Sequence, residues 1–175
     1  MTWKKIDKEK VIKIITRDLP EEVTKKLLTD RELLINTDET AKLVSVSKEM
    51  LEIFKKLSKK IVQPIFIGSP VLDTRDLIKY RLSLPFIFKA STMNVPKAII
   101  RHKGEQLFLY GRDVWSSTIK KVEGTIKRKG LVFLFNESNI FLGVAFARNE
   151  ELMVHKNETV LKNVIDTGYY LRCEK

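Results

Sequence analysis

A chain of 175 residues is long enough for one ordinary domain or two small ones, and 43% hydrophobic with 31% charged residues is the composition of a folded globular protein, not a disordered or fibrous one. No run reaches the roughly 18 uninterrupted apolar residues that a spanning helix needs, and Met1 to Lys5 runs straight into a charged helix pattern without a signal-type stretch, so a cytoplasmic protein with no membrane partner is expected. The 33 Lys+Arg against 22 Asp+Glu leave a net charge of +11, which favours a polyanionic partner, nucleic acid first, although a Lys- and Glu-rich surface also serves solubility alone.

The first expected element is a helix over Lys8 to Thr16, capped by Asp7, with Ile6 and Val11 placed as a hydrophobic staple. Pro20 interrupts it and, with Glu21 and Glu22 in the first turn, suits the first helical position of a second helix running to Leu28. Strand-like runs at Glu32 to Ile35 and Lys42 to Val46, joined by the polar stretch Asn36 to Thr40, read as a hairpin. Ser47 then caps an amphipathic helix whose apolar stripe is Met50, Phe54, Leu57 and Ile61, with Lys48, Lys55, Lys56, Lys59 and Lys60 as a solvated basic back. Pro64 to Ile67, closed by Gly68-Ser69-Pro70, and Leu77 to Leu84 read as strands, and Pro85 starts a short helix.

From Pro96 the texture changes to short β-rich runs at Lys97 to Arg101, Gln106 to Tyr110, Ile119 to Val122, Leu131 to Phe135, Ile140 to Ala147 and Val160 to Ile165, with Tyr169-Tyr170-Leu171 as a final run. Turn signals at Lys103-Gly104, Lys129-Gly130 and Asn136 to Asn139 divide them. The expected fold class is therefore α+β: residues 1–92 form an N-terminal antiparallel sheet packed with helices, and residues 93–175 form a small β-barrel-like domain. Positive charge is concentrated within the second half. Residues 97–129 carry nine basic residues against three acidic, whereas the remainder, from 130 onward, is close to neutral.

Leu109-Tyr110-Gly111-Arg112-Asp113-Val114-Trp115 resembles the Gly-x-x-Val turn of the PUA domain, an RNA-binding module. The strand signatures around Lys129-Gly130-Leu131-Val132 and Leu142-Gly143-Val144, and the ending Asp166-Thr167-Gly168-Tyr169-Tyr170-Leu171-Arg172, follow in the order that module has them. Glycine at such a turn permits close backbone approach, while flanking cations meet phosphate oxygens. The sequence departs from the pattern at Gly130-Leu131, where the module usually has Gly-Asp, and at Ser116-Ser117-Thr118, where it commonly has a second glycine. Gly104-Glu105-Gln106-Leu107-Phe108-Leu109-Tyr110-Gly111, with Lys79-Tyr80-Arg81-Leu82 upstream and Tyr170-Leu171-Arg172 at the end, is further similar to the Nip-seven family of small ribosome-biogenesis factors. That resemblance implies an N-terminal domain for contacts with pre-ribosomal or RNA-processing proteins, and a C-terminal PUA domain for single-stranded or looped RNA such as pre-rRNA. It implies a role in large-subunit assembly and pre-rRNA processing, without catalytic activity or a cofactor.

The RNA face of PUA domains, carried onto this sequence, makes Arg112, Lys120 and Lys121 the first candidate contacts, with Arg148, Lys156, Lys162 and Arg172 completing it from later loops and the closing strand. Period-2 alternation lets only one of Lys120 and Lys121 point fully outward. Trp115 either packs in the core or stacks on a base, and Tyr110 is assigned to the core with Phe108, Phe133, Phe135, Phe141 and Phe146. An alternative is an accessory subunit or fragment of an RNA-modifying enzyme that delivers tRNA or rRNA. Against an enzyme, no Gly-rich turn of a doubly wound sheet is present, Asp73, Arg75 and Asp76 read as a polar loop, and His102 and His155 lack a neighbouring nucleophile. Cys173, the single cysteine, gives no disulfide framework, and with two distant histidines it makes no ordinary zinc site.

Overall fold

The structure, a computed structural model, describes residues 3–36, 42–58, 67–74, 80–154 and 157–172. The chain divides into two units, Met1–Ala90 and Ser91–Lys175. The first is an antiparallel five-stranded meander, β1 (Trp3–Lys5), β2 (Arg31–Asn36), β3 (Lys42–Ser47), β4 (Ser69–Thr74) and β5 (Tyr80–Leu82), with helices α1 (Lys8–Ile15), α2 (Glu21–Leu28), α3 (Lys48–Ser58) and α4 (Leu84–Ser91). The Asp7 carboxylate caps α1 by accepting from the Glu9 N–H at 3.0 Å, and the Ser47 hydroxyl caps α3 by accepting from Met50 at 3.2 Å. The Tyr80 hydroxyl ties β5 to α1 and the turn after it, 3.0 Å from the Ile14 carbonyl and 2.8 Å from the Asp18 carboxylate. Burial, reinforced by that bond to Asp18, pushes its phenol above the ordinary tyrosine range.

Four local expectations in this unit are corrected. Trp3 to Lys5 is a strand, not the approach to a helix, because its backbone extends the sheet beside Leu34 to Asn36. Pro20 is the N-cap of α2 instead of its first helical residue. Ser69 and Pro70 belong to β4 instead of a closing turn, since Val44 and Ser45 continue the ladder onto them. In α3 the core-facing residues are Leu51 and Phe54, which pack against Leu34, Val44, Val46 and Ile67, while Met50, Ile53 and Leu57 are exposed. The hairpin loop 37–41, Lys59 to Phe66, and Arg75 to Lys79 with Asp76 lie outside the described residues, as do His155, Lys156 and Cys173.

The second unit contains β6 (Lys97–Ile100), α5 (His102–Leu109), β7 (Val114–Trp115), β8 (Ile119–Glu123), β9 (Leu131–Phe135), β10 (Phe141–Ala147), β11 (Thr159–Asp166) and α6 (Tyr169–Arg172). Its six-stranded sheet has the order β7-β11-β10-β9-β6-β8, antiparallel except for β6 beside β9. In a flat sheet the outer strands β7 and β8 would stand five strand spacings apart, about 24 Å. A single 3-10 turn, Ser116–Thr118, joins them, and the four residue steps from Trp115 to Ile119 span at most about 14 Å. The sheet therefore curls into a half-barrel, whose interior is filled by Ile100, Phe108, Ile119, Leu134, Val160 and Leu161. Phe133, Phe135 and Phe141 are buried as expected, and Phe146 is half-buried.

Gly143 leaves no room for a side chain where β10 lies against β11. Its φ is +148°, and a Cβ there would collide with the Ile165 carbonyl oxygen and stand 2.7 Å from the Asp166 Cα. Gly143→Ala is expected to cost at least the roughly 1–3 kcal/mol of an overpacked core site, lowering the thermal midpoint of this unit by about 4–8 °C per kcal/mol. Circular dichroism melting checks this.

Candidate nucleic-acid interface

The segment before Gly111 is a helix, which corrects the strand expected at Gln106 to Tyr110. Aromatic and aliphatic residues there favour a strand locally, but only Gly104 and Phe108, four residues apart on one helical face, are fully buried. A Cβ on Gly104 would stand 2.7 Å from Thr118 Cβ, so the glycine brings α5 close to the 3-10 turn. The helix ends in a Schellman turn. Gly111, at φ +80°, donates its N–H to the Phe108 carbonyl at 2.8 Å, and Arg112 donates its own to Leu107 at 3.0 Å. The Gly111 turn is thus present, as a helix stop instead of a hairpin. Tyr110, the C-cap, is 74% exposed and does not belong to the core.

Asn163 of β11 holds this turn in place. Its side-chain amide donates to the Phe108 carbonyl at 3.0 Å, to the Arg112 carbonyl at 3.4 Å and to the Asp166 carboxylate at 3.2 Å, while its backbone N–H donates to Asp113 at 3.0 Å. The result fixes residues 108–113 against the strand beside β7. The Arg112 side chain is exposed, and no described side chain pairs with it. Trp115, on β7 opposite Thr159, is 41% exposed, which places it at the surface. Lys162 is exposed on β11, and Arg148 reaches over to Asp113 at 2.9 Å. The structure brings these four together around β7, β11 and the end of β10.

The other candidates are placed differently. Lys120 and Lys121 lie on the outer strand β8, and both are exposed, contrary to the alternation expected. The cause is a bulge: Ile100 pairs with Ile119 and Ile99 with Lys121, leaving Lys120 as the extra residue. Each is neutralised, Lys120 by Glu137 and Lys121 by Glu123, both at 2.7 Å. Those lysines hold the Glu137 and Glu123 carboxyls below the usual range. Arg172 sits in a short helix, α6, where a closing strand was expected, because its guanidinium fixes the chain end: it donates to the Leu109 carbonyl and to both oxygens of buried Asp166 at 2.9 Å. Lys156 lies outside the described residues. His102 stands 3.7 Å from Glu105 and 3.2 Å from the Gln106 amide on the exposed side of α5. Among the described residues no group of three His, Cys, Asp or Glu is gathered, and no helix is long and apolar enough to cross a membrane.

Residues 96–175 match the family model described as the UPF0113 PUA domain. The C-terminal unit is a PUA-type half-barrel. Over almost the whole chain the protein is similar to a UPF0113 protein of Archaeoglobus fulgidus, at 25% identity over 169 residues, 95% of this chain and 92% of that one. Its fold is similar to that of a hypothetical protein of Pyrococcus horikoshii OT3, with a TM-score of 0.62, 16% identity and 94% of each chain covered. A conserved PUA domain protein of Thermoplasma acidophilum superposes with a TM-score of 0.58 at 14% identity over 95% of each chain. A PUA domain of Aeropyrum pernix K1, in a tartrate complex, gives 0.62 at 10% identity over 95% of this chain and 86% of that one. At such identities these solved structures speak for the fold alone.

PUA domains typically bind RNA, and in this PUA-type unit the cations at the β7 edge separate into Arg112 and Lys162, which have no ion pair among the described residues, and Arg148 and Arg172, which are engaged by carboxylates. Sequence reasoning missed Asn163, although an asparagine in the middle of a β-rich run is itself a signal, since asparagine is disfavoured in strands unless its amide has partners. It also passed over Lys127, Arg128 and Lys129 of this PUA domain, all exposed. For Arg172 the placement has a direct consequence. Arg172→Ala leaves the buried Asp166 carboxylate short of its partner and is expected to destabilise the protein by about 1–3 kcal/mol, read as a lower denaturant midpoint.

Proposed function

We propose that this protein is a non-catalytic RNA-binding factor that acts in large-subunit ribosome assembly and pre-rRNA processing. The observation that carries the RNA-binding part is the β7 edge of the PUA domain, where the unpaired cations Arg112 and Lys162 accompany the exposed rings of Tyr110 and Trp115. Cations meet phosphates and rings stack on unpaired bases, a combination suited to single-stranded or looped RNA more than to a duplex. The likeness of Gly104 to Gly111 and Tyr170-Leu171-Arg172 to the Nip-seven family supports the ribosomal assignment, with protein contacts made by the N-terminal unit. The placement of His102 beside Glu105 and Gln106, with no nucleophile bonded to it among the described residues, supports a binder over an enzyme.

Anisotropy titrations of labelled single-stranded RNA and of duplex DNA at several salt concentrations test the reading. RNA is expected to bind more tightly, and Arg112→Ala or Lys162→Ala each to reduce the salt slope by about 0.7. Equal affinity for duplex DNA overturns it. Crosslinking in the native cell followed by sequencing should recover ribosomal RNA precursors.

Lys120 and Lys121 supply a separate expectation. Glu123→Gln with Glu137→Gln removes the carboxylates that hold them, so RNA affinity should rise and the salt slope steepen by up to about 1.4, two contacts' worth. The pH dependence has a defined sign. Because both carboxyl pKa values are depressed, these ion pairs are present at neutral pH and are lost as pH falls through the lowered values. Wild-type affinity for RNA should therefore increase toward acid pH, and the double variant should lack that increase.

A further inference from the structure

We propose that the β8–β9 turn, Lys127-Arg128-Lys129-Gly130, is a second phosphate-binding site, so that single-stranded RNA crosses the strand ends of the half-barrel from Trp115 to this turn. The inference rests on the RNA-binding reading above and assigns residues outside the β7 edge. Three observations carry it. The first is charge. Lys127, Arg128 and Lys129 are all exposed, and none has an ion pair or side-chain hydrogen bond among the described residues, whereas Lys120, Lys121, Arg148 and Arg172 each face a carboxylate. No acidic residue occurs between Glu123 and Glu137.

The second is rigidity. Gly130 donates its N–H to the Lys127 carbonyl at 2.8 Å, which makes the four residues a β-turn. The turn is joined to β10 by Lys129 N–H to the Ala147 carbonyl at 2.7 Å and by Ala147 N–H to the Gly130 carbonyl at 2.9 Å, and Ile126 anchors its approach in the core. With the backbone already fixed, only side-chain freedom is lost when these cations meet an anion. Its third residue, Lys129, has φ +60°, a conformation that repulsion between Cβ and the backbone disfavours and that glycine or asparagine would adopt with less strain. Lysine at a strained position is a structural cost with no structural return, which points to a use for its charge.

The third is alignment. Lys129 is bonded to Ala147; the next residue, Arg148, donates its N–H to Val160 at 2.9 Å; and Thr159, beside Val160, is the register partner of Trp115. Trp115, Arg148 and the turn thus form one row across β7, β11, β10 and β9, about 14 Å long at three strand spacings. A stacking ring at one end and three unpaired cations at the other match the aromatic platform and basic track of single-strand binders.

The test uses the full chain and a labelled 12-nucleotide single-stranded RNA, titrated at several salt concentrations. Lys127→Ala/Arg128→Ala/Lys129→Gly is expected to reduce the salt slope by about 2 and the affinity at 0.1 M salt by roughly a hundredfold, three contacts at about 0.7 each. Its thermal midpoint should be no lower than that of the wild type, because glycine at 129 relieves the positive φ. Arg128→Ala alone should produce about a third of that slope change, with Arg128→Lys restoring most of the lost slope, a pattern that general unfolding would not produce. A dinucleotide, whose single phosphodiester is too short to reach from Trp115 to the turn, should bind wild type and triple variant alike. If the triple variant folds and binds the longer RNA with unchanged slope while Arg112→Ala still weakens it, the second site is wrong and the RNA-binding reading stands. If wild type binds neither RNA, both fall. Vesicle binding (phosphatidylserine with phosphatidylcholine) lost in the triple variant, with RNA affinity unchanged, would reassign the turn to anionic lipid and overturn the proposal.

Discussion

The three-residue link between β7 and β8 is the constraint on which the C-terminal unit depends. Strands at opposite edges of a six-stranded sheet cannot be joined by Ser116–Thr118 unless the sheet curls. Gly104 lets α5 lie against Thr118 at the link itself, and Gly143 lets β10 bend beneath β11. The Thr118 hydroxyl donates to the Trp115 carbonyl at 2.7 Å, and the Arg101 guanidinium donates to the Ser117 and Ile119 carbonyls at 2.7 and 2.9 Å, so the link's polar backbone is satisfied where it crosses the barrel mouth.

Closing the sheet in this way decides which charges remain for a ligand. Arg101 is engaged by backbone carbonyls and Arg172 by Asp166, and Lys97 lies 5.1 Å from the centre of the Phe135 ring. These cations stabilise the domain's own structure and present little to an anion. Arg112, Lys162 and the Lys127-Arg128-Lys129 turn have no ion pair among the described residues. The basic stretch 97–129 is therefore a mixture of internal struts and free charges, although it reads in sequence as one feature. Desolvation explains the difference in kind: a cation already bonded to a buried carboxylate must break that bond before it meets a phosphate, whereas an exposed unpaired one exchanges only water and counterions.

The same network gives the interface its precision. Asn163 contacts the carbonyls of Phe108 and Arg112 and the carboxylates of Asp113 and Asp166, so the helix stop at Gly111, the edge strand β7 and the chain end at Arg172 move as one piece. Tyr110 and Trp115, at the two ends of the segment 110–115, are both exposed. Residues on a turn held by four hydrogen bonds meet a ligand with less loss of side-chain and backbone freedom than the same residues on a loose loop would.

The α+β class, most strand positions and the PUA resemblance were legible in the sequence. Each rests on local physics: alternation and β-branched runs for strands, Asp7 and Ser47 as caps, and glycine at the turn after Tyr110. Local physics failed wherever a distant partner outweighed it. Gln106 to Leu109 has strand-forming residues but is helical, because a strand that buried Gly104 and Phe108 would bury Gln106 between them on the same face, whereas the helix leaves Gln106 and the C-cap Tyr110 in solvent. Lys120 and Lys121 both face solvent because a bulge on an outer strand broke the alternation, and a bulge is set by the register with β6, which no window of sequence contains. In α3 the buried face was misjudged by one residue, with Leu51 packing where Met50 was expected, since either stripe satisfies the helical period and only the neighbouring sheet selects between them. The sequence by itself determined the α+β class, most of the strands, the turn at Gly111 and the amount of positive charge. Tertiary structure alone decided which cations are free, because that depends on which carboxylates and carbonyls folding brings within about 3 Å of each one.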